Sequence, residues 1–262
     1  MIASCWNRLR RFCVDEKARW VRGMFGSIAG RYDLLNHLLS FNLDKRWRAR
    51  TIKRVANIVA RPDARVLDLC CGTGDLLLAL HGRSVLGSDF CHPMLLKARE
   101  KSPESPLFEA DALTLPLRDN SLDLITCAFG FRNLANYEKG LNEFLRVLKP
   151  GGTVAILEFS QPTNRVFGAL YDFFSTRILP RVGAMISGSR VAYSYLPDSI
   201  RKFPGAEDLS SKILAAGFER VEFERMTGGA VALHLAYKLH RADTNIPFDV
   251  VDVHQNADSR DR

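Results

Sequence analysis

From Arg65 onward the chain repeats one pattern: a short apolar run, a turn, and then apolar residues at helical spacing. The runs read "RVLDL", "SVLGSD", "LFEAD", "SLDLITCAFG" and "TVAILEFS". Between them stand "DLLLALHG", "CHPMLLKAREK" and "NYEKGLNEFLRVLKPGG", which have the periodicity and the ends of helices. Pro93 sits near one helix start, and Pro150 with two glycines follows another helix end. Strands that are apolar on both faces and alternate with helices require a mostly parallel sheet covered on both sides. The expected fold class is therefore α/β, with a Rossmann-like sheet. A further helical stretch, "AEDLSSKILAAGF", and two more strands, "RVEFERM" and "VALHLAYKL", close the pattern.

This reading divides the chain into a helical N-terminal extension or cap over 1–60, a sheet domain over 61–240, and a polar tail over 241–262 that is expected to be disordered. The first quarter is basic: residues 1–65 hold 15 Lys/Arg against 5 Asp/Glu, while the remainder holds 22 against 24. The excess behind the net charge of +8 sits wholly there. Such asymmetry fits a polyanionic neighbour, either nucleic acid or an anionic membrane surface, or else a solvated helix face. No apolar run reaches the roughly 18 residues of a transmembrane helix. The basic start has no apolar stretch behind it, so no secretory signal is expected and the cytoplasm is the expected location. The six cysteines form no C-x-x-C pair, so neither a zinc site nor a disulfide framework is expected, and no metal is assigned.

"LDLCCGTGDL", Leu67 to Leu76, joins the first strand to its helix. A glycine-rich turn at the carboxyl end of a parallel strand is a cofactor site. The dinucleotide fingerprint G-x-G-x-x-G is incomplete here, because Gly72 and Gly74 are followed by no third glycine. Asp75 opens the helix where a pyrophosphate would sit, and Asp68 precedes the turn. Each carboxylate, about 5 Å from a phosphate, would cost roughly 3 kcal/mol at an effective dielectric of about 20. The same charges would attract a cation, and S-adenosylmethionine carries a sulfonium and an ammonium. The turn therefore favours that cofactor over NAD or ATP. Asp89 ends the second strand, 21 residues after Asp68, where an acidic side chain can accept from ribose hydroxyls. The third strand ends in "EAD", with Asp111 and Ala112 placed to meet the adenine, and a carboxylate there can accept from the exocyclic amine.

These motifs resemble class I S-adenosylmethionine-dependent methyltransferases, which share a seven-stranded sheet with a reversed last strand. More closely, the chain resembles the ubiquinone/menaquinone biosynthesis C-methyltransferase family. The resemblance is carried by "MFGSIAGRYDLLNHLLSFNLDKRWR", "VLDLCCGTGDL", "FGFRNLANYEKGLNEFLRVLKPGGTVAILEFSQP", "SYLPDSIRKFPGAEDLSSKILAAGF" and "GGAVALHLAYK", which span Met24 to Lys238. It implies cofactor contacts at Thr73, Asp89, Asp111 and Ala112. Ala128 stands where the family often has Ser, which removes a hydroxyl contact to the cofactor, and Cys70 and Cys71 replace smaller residues in the turn. The resemblance also implies C-methylation of a quinol ring that carries a polyprenyl tail: a demethylmenaquinol, a benzoquinol, or both.

A ring carbon becomes nucleophilic when the neighbouring hydroxyl loses its proton. Phenols titrate at about pH 10, so a base or a positive charge would help. Arg132 and Asn133 in "FGFRN" follow the fourth strand and are the candidates. Arg132 would stabilise the phenolate, or pair with a loop carboxylate instead, and Asn133 would orient the ring. Tyr193 and Tyr195 are candidates for the ring pocket or for the core, and His92 for a base or a surface residue. The segment Val166 to Ile186 is apolar and aromatic, with Arg165, Arg177 and Arg181 in or beside it. It could cover the pocket and make a peripheral contact at the inner membrane surface, or pack as a cap helix or homodimer contact. Nucleic acid is not the expected partner, because the fourth strand leads into "AFGFRN" rather than the Asn/Asp-Pro-Pro-aromatic stretch of enzymes that methylate a base amine. Another small-molecule acceptor, an RNA acceptor, and a non-catalytic module on the same fold stay open.

Overall fold

The computed structural model describes residues 16–80, 85–178, 190–239 and 250–252. β1 (Val66–Leu69) is buried at every position, as a strand covered on both faces must be. It pairs in parallel with β2 (Val85–Asp89) on one side and with β4 (Leu122–Ala128) on the other. β3 (Leu107–Glu109) extends the sheet beyond β2, and β5 (Leu148–Phe159) lies beyond β4, both in parallel. β7 (Val231–Tyr237) inserts antiparallel between β5 and β6 (Arg220–Met226). The seven-stranded sheet with a reversed last strand is therefore present, in the order β3-β2-β1-β4-β5-β7-β6. The direction of winding reverses at β1, so ligands bind in the crevice at the carboxyl ends of β1 and β4.

The helices begin with α1 over 16–28, α2 (Tyr32–Leu39) and α3 (Leu43–Val59). The short α4 (Asp75–Ala79) follows the glycine turn, and α5 (His92–Lys101) follows β2. α6 (Tyr137–Val147), α7 (Arg165–Phe173), α8 (Arg190–Lys202) and α9 (Ala206–Ala215) complete the set. Period-two alternation sends the side chains of each strand to opposite layers. Leu67, Ile125 and Ile156 face one core, which α6 fills with Leu141, Phe144 and Val147. Val66, Leu124 and Ala155 face the other, against Trp47 and Val55 of α3 and Leu77 of α4. Each such large side chain contributes about 1.5–3 kcal/mol by leaving water. Phe144→Ala, at a fully buried position, would cost about 3–5 kcal/mol.

α3 is tied to the sheet edge by polar contacts as well. Trp47 Nε1 donates to Thr227 Oγ1 at 2.9 Å, and Arg50 Nε and Nη2 donate to Glu224 at 2.8 and 2.9 Å. α1 lies over the carboxyl ends of the strands. Lys17 Nζ donates to the Leu134 carbonyl at 3.1 Å, and Arg22 pairs with Glu109 at the end of β3. Burial pulls the Lys17 ammonium below its ordinary pKa.

Two details differ from the sequence pattern. β5 begins at Leu148, directly after α6, rather than at Thr153. Proline disfavours helical backbone in the residue before it, so the chain leaves the helix ahead of Pro150. The sheet also gains an eighth strand, β8 (Val250–Asp252), parallel to β6, inside the tail expected to be disordered from Arg241. Residues 241–249 and 253–262 lie outside the described residues, as do Arg181 and the side chain of Tyr193. No helix among the described residues is long and apolar enough to cross a membrane.

Candidate active site

The turn between β1 and α4 needs left-handed backbone, with φ of +55° at Gly72 and +87° at Gly74. Gly74 is also required by space: a Cβ there would stand 3.2 Å from Ala98 Cβ and 3.3 Å from Ala98 Cα, on α5. The turn is fastened to the end of β2. The Asp89 carboxylate accepts from the amides of Gly72 and Cys91, both at 2.9 Å. Burial pushes Asp89 up to about 6, against those amide bonds, which favour the charged form.

A chamber of about 100 Å³ opens here, and Gly72, Asp89, Asp111, Ala112, Ala128 and Asn133 line it. Asp111 is exposed and accepts from the Leu113 amide at 2.9 Å. Ala18 and Phe25 of α1 form the roof. Five of the nine residues expected to bind the cofactor therefore meet in one place, together with one of the two expected to act on the substrate.

Asp68, Thr73, Gly74 and Asp75 do not line this chamber. Asp68 lies beneath the turn, 1% exposed, and accepts from Thr126 Oγ1 at 2.8 Å. Its second oxygen has no partner among the described residues, and burial raises its pKa to about 7. Asp75 is paired instead with Lys101 Nζ at 2.6 Å and Arg48 Nη2 at 3.5 Å. The Thr73 hydroxyl donates to Asp33 and accepts from Lys101 at 3.3 Å, so it faces α2 and α5. The electrostatic case built on Asp68 and Asp75 is thereby corrected. One carboxyl is buried and easily protonated, the other is neutralised by cations, and Asp89 and Asp111 carry the negative charge at the mouth.

A second chamber of about 350 Å³ adjoins the first, and Phe25, Tyr32 and Phe129 belong to the walls of both. Its lining is mostly apolar, with Met24, Leu39, Phe174 and Leu196 among it. Phe129 holds its partition with φ of +59°, which is uncommon for a bulky residue and marks a constrained backbone. Arg132 faces the large chamber from a buried position. Its Nη1 donates to Glu158 Oε1 at 2.9 Å and to the Phe129 carbonyl, and its amide donates to Glu158 Oε2 at 3.1 Å. Nε reaches Ser199 Oγ at 3.4 Å, and the guanidinium lies 5.3 Å from the centre of the Phe159 ring. Among the described residues Nη2 makes no hydrogen bond. Pairing with a carboxylate is thus realised, from β5 rather than from a loop. Across the partition, Tyr195 OH donates to Asn133 Oδ1 at 3.0 Å, linking the large chamber to the small one. Burial raises the phenols of Tyr195 and Tyr32.

His92 is exposed and bonds Glu109 Oε2 at 3.1 Å, outside both chambers. Glu158 was given no part by the sequence reading. The available signal was a charged residue inside "TVAILEF", since a carboxylate amid a buried strand needs a partner. Tyr32 carried no comparable signal, because it sits in an amphipathic helix as any aromatic might.

Solved structures share this architecture. An S-adenosylmethionine-dependent methyltransferase from Thermotoga maritima matches with a TM-score of 0.57 at 18% identity, covering 82% of this chain and 99% of that one. Another from Archaeoglobus fulgidus matches with a TM-score of 0.56 at 16% identity, covering 79% and 99%. The fold is thus one that solved S-adenosylmethionine-dependent methyltransferases share. Sequence narrows the group: residues 13–238 match the ubiE/COQ5 methyltransferase family, and the chain belongs to it. It is 47% identical over 220 residues to the demethylmenaquinone methyltransferase of Thermus thermophilus, covering 81% of this chain and 98% of the relative. It is 40% identical over 236 residues to the ubiquinone/menaquinone biosynthesis C-methyltransferase UbiE of Shewanella woodyi, covering 86% and 92%. The chain is accordingly an enzyme that transfers methyl groups.

Proposed function

We propose that this enzyme methylates a ring carbon of a polyprenyl quinol, with a demethylated naphthoquinol as the favoured acceptor. The observation that carries this reading is the pair of adjoining chambers: a small one bearing carboxylates and a larger apolar one with a buried guanidinium in its wall. The donor set of the small chamber fits S-adenosylmethionine. Asp89 would accept from the ribose hydroxyls, and Asp111 with Ala112 would meet the adenine. When bound, that cofactor supplies an electrophilic methyl group beside the partition.

The chain's own residues prepare the acceptor. The apolar lining shields the ring from water, which strengthens any charge interaction inside. Once the ring hydroxyl has given its proton to solvent, Arg132 Nη2 would donate to the oxyanion, and resonance in the phenolate places negative charge on the neighbouring carbon that attacks the methyl group. Glu158 aims that guanidinium by holding both its Nη1 and its backbone amide. Asn133, held by Tyr195, would orient the ring across the partition. An apolar acceptor chamber also favours a lipid ring over a charged nucleic-acid substrate. The relatives named for demethylmenaquinone and for ubiquinone/menaquinone point to the same acceptor class.

The test is transfer of a labelled methyl group to short-tailed naphthoquinol and benzoquinol, repeated with Arg132→Ala. Turnover of the naphthoquinol is expected, with a loss of roughly 10²–10³-fold in the variant, the cost of removing one donor to a developing oxyanion. No turnover on either quinol rejects the acceptor. An unchanged rate in Arg132→Ala rejects the role of that side chain.

A further inference from the structure

Two helices that frame the mouth of the large chamber present apolar side chains to solvent. On α2 and just past it, Leu34 is 61%, Leu38 47% and Phe41 73% exposed. On α7, Val166 is 73%, Leu170 64% and Phe173 59% exposed, and no residue of this helix is buried. The α7 triplet follows i, i+4, i+7 spacing and forms one stripe; Leu34 and Leu38, at i and i+4, share a face of α2, and Phe41 stands just past that helix's end. The opposite side of α7 is also apolar, with Phe167 and Tyr171 lining the chamber. The two stripes belong to one rim: Phe41 and Leu170 both line the chamber, and the rings of Phe41 and Phe174 lie 5.8 Å apart. Phe41 is 73% exposed and has a φ of +53°, a left-handed conformation uncommon for a bulky residue. Clustered exposure of this kind on a folded chain marks an interaction surface.

Charge identifies the occupant. Arg31 precedes α2, Lys45 and Arg46 open α3 next to Phe41, and Arg165 opens α7 beside Val166; all four are exposed. The acidic residue on α7, Asp172, lies 3.7 Å from Arg201. A rim of apolar side chains bordered by cations matches the boundary between headgroups and acyl chains in an anionic bilayer.

We infer that the α2 and α7 stripes form a two-sided rim that seats the chamber mouth on an anionic phospholipid bilayer, so that a lipid-borne acceptor passes between them without crossing water. The inference rests on the quinol reading only for the reason the chain visits a bilayer; the surface itself is tested separately. Nothing in the rim is covalent or catalytic. It places the opening, and the two chambers behind it do the rest.

The experiment is sedimentation of the full chain with vesicles of phosphatidylcholine, with and without about a third phosphatidylglycerol. The expected result is pelleting that rises about tenfold or more with the anionic lipid and falls with added salt. Leu34→Glu with Phe173→Glu should lower pelleting by about tenfold or more, while cofactor affinity and turnover of a short-tailed quinol stay within about twofold. Neither side chain lines a chamber. A second variant, Lys45→Glu with Arg46→Glu, leaves the apolar rim intact and should abolish the anionic preference. Wild-type protein that does not pellet, or rim variants that pellet as well as wild type, overturns the inference. So does a wild-type dimer that the rim variants split without any change in pelleting, which would make the rim a contact between two copies. If pelleting behaves as expected and no quinol is turned over, the rim stands and the acceptor assignment falls.

Discussion

The buried pair of Arg132 and Glu158 can be dissected by a double-mutant cycle. The side chains are 5% and 1% exposed, and the Glu158 carboxylate receives Arg132 Nη1, the Arg132 amide and the Phe159 amide at 2.9, 3.1 and 2.9 Å. Glu158→Gln keeps one acceptor oxygen, for the Arg132 or the Phe159 amide but not for both, and leaves the guanidinium in the interior without a counter-charge. Arg132→Met leaves the carboxylate in the same position. Breaking a buried pair from one side costs about 3–5 kcal/mol, whereas replacing both members by neutral groups of similar volume is much milder. Each single variant should therefore lose about 3–5 kcal/mol in urea unfolding. At about 2–4 °C per kcal/mol for a chain of this size, that is a fall of roughly 6–20 °C in Tm. The double variant should lose less than the sum of the two by about 2–3 kcal/mol. Turnover separates the roles: Glu158→Gln should lower kcat about tenfold or more through a misaimed guanidinium, with cofactor affinity kept. If the two costs add within about 0.5 kcal/mol, Glu158 does not neutralise Arg132 and the aiming argument fails.

Three further outcomes follow from the turn and its neighbours. On the proposed reading Asp89 accepts from two ribose hydroxyls as a carboxylate, and burial places its pKa at about 6. Cofactor Kd measured by calorimetry should therefore rise about tenfold per pH unit below 6 and level off above 7, and Asp89→Asn should flatten that profile while weakening binding throughout. Asp68 has a folded pKa of about 7, raised above its unfolded value, so its ionisation opposes folding as pH climbs from about 4 past 7. Asp68→Asn should then be more stable than wild type by roughly 2–4 kcal/mol at pH 8, with the gain fading toward pH 4; equal stability at every pH would refute the burial argument. Gly74→Ala meets both a positive φ and the Ala98 contact, and should cost about 2–4 kcal/mol. Replacing Ala98 by Gly in that background should return only the part due to contact, as read by thermal melting.

The sheet was legible because its signals are local. Apolar runs, helical spacing and left-handed glycines are properties of a few consecutive residues, and they placed β1, the turn and the end of β2, while β3 stops at Glu109, two residues short of the end of the "LFEAD" run. Asp89, Asp111 and Ala112 line one chamber because strand ends in a parallel sheet share one edge. The partners of charged groups were not legible in the same way. Asp75 looked free in "GTGDL", yet Lys101, 26 residues later, folds back on it. Arg132 and Glu158 are also 26 residues apart, and only the pairing of β4 with β5 brings them together. Trp47 meets Thr227 across 180 residues. A charge argument from sequence counts the sign of each side chain but not its neutraliser, which is why the cations beside Asp75 went unseen.

α1 is a shared wall. Ala18 and Phe25 stand over the small chamber, while Met24, Phe25 and Ile28 of the same helix line the large one. A change on this inner face therefore reaches both rooms at once: trimming Phe25 would widen the two together, so neither fit can be tuned there without altering the other.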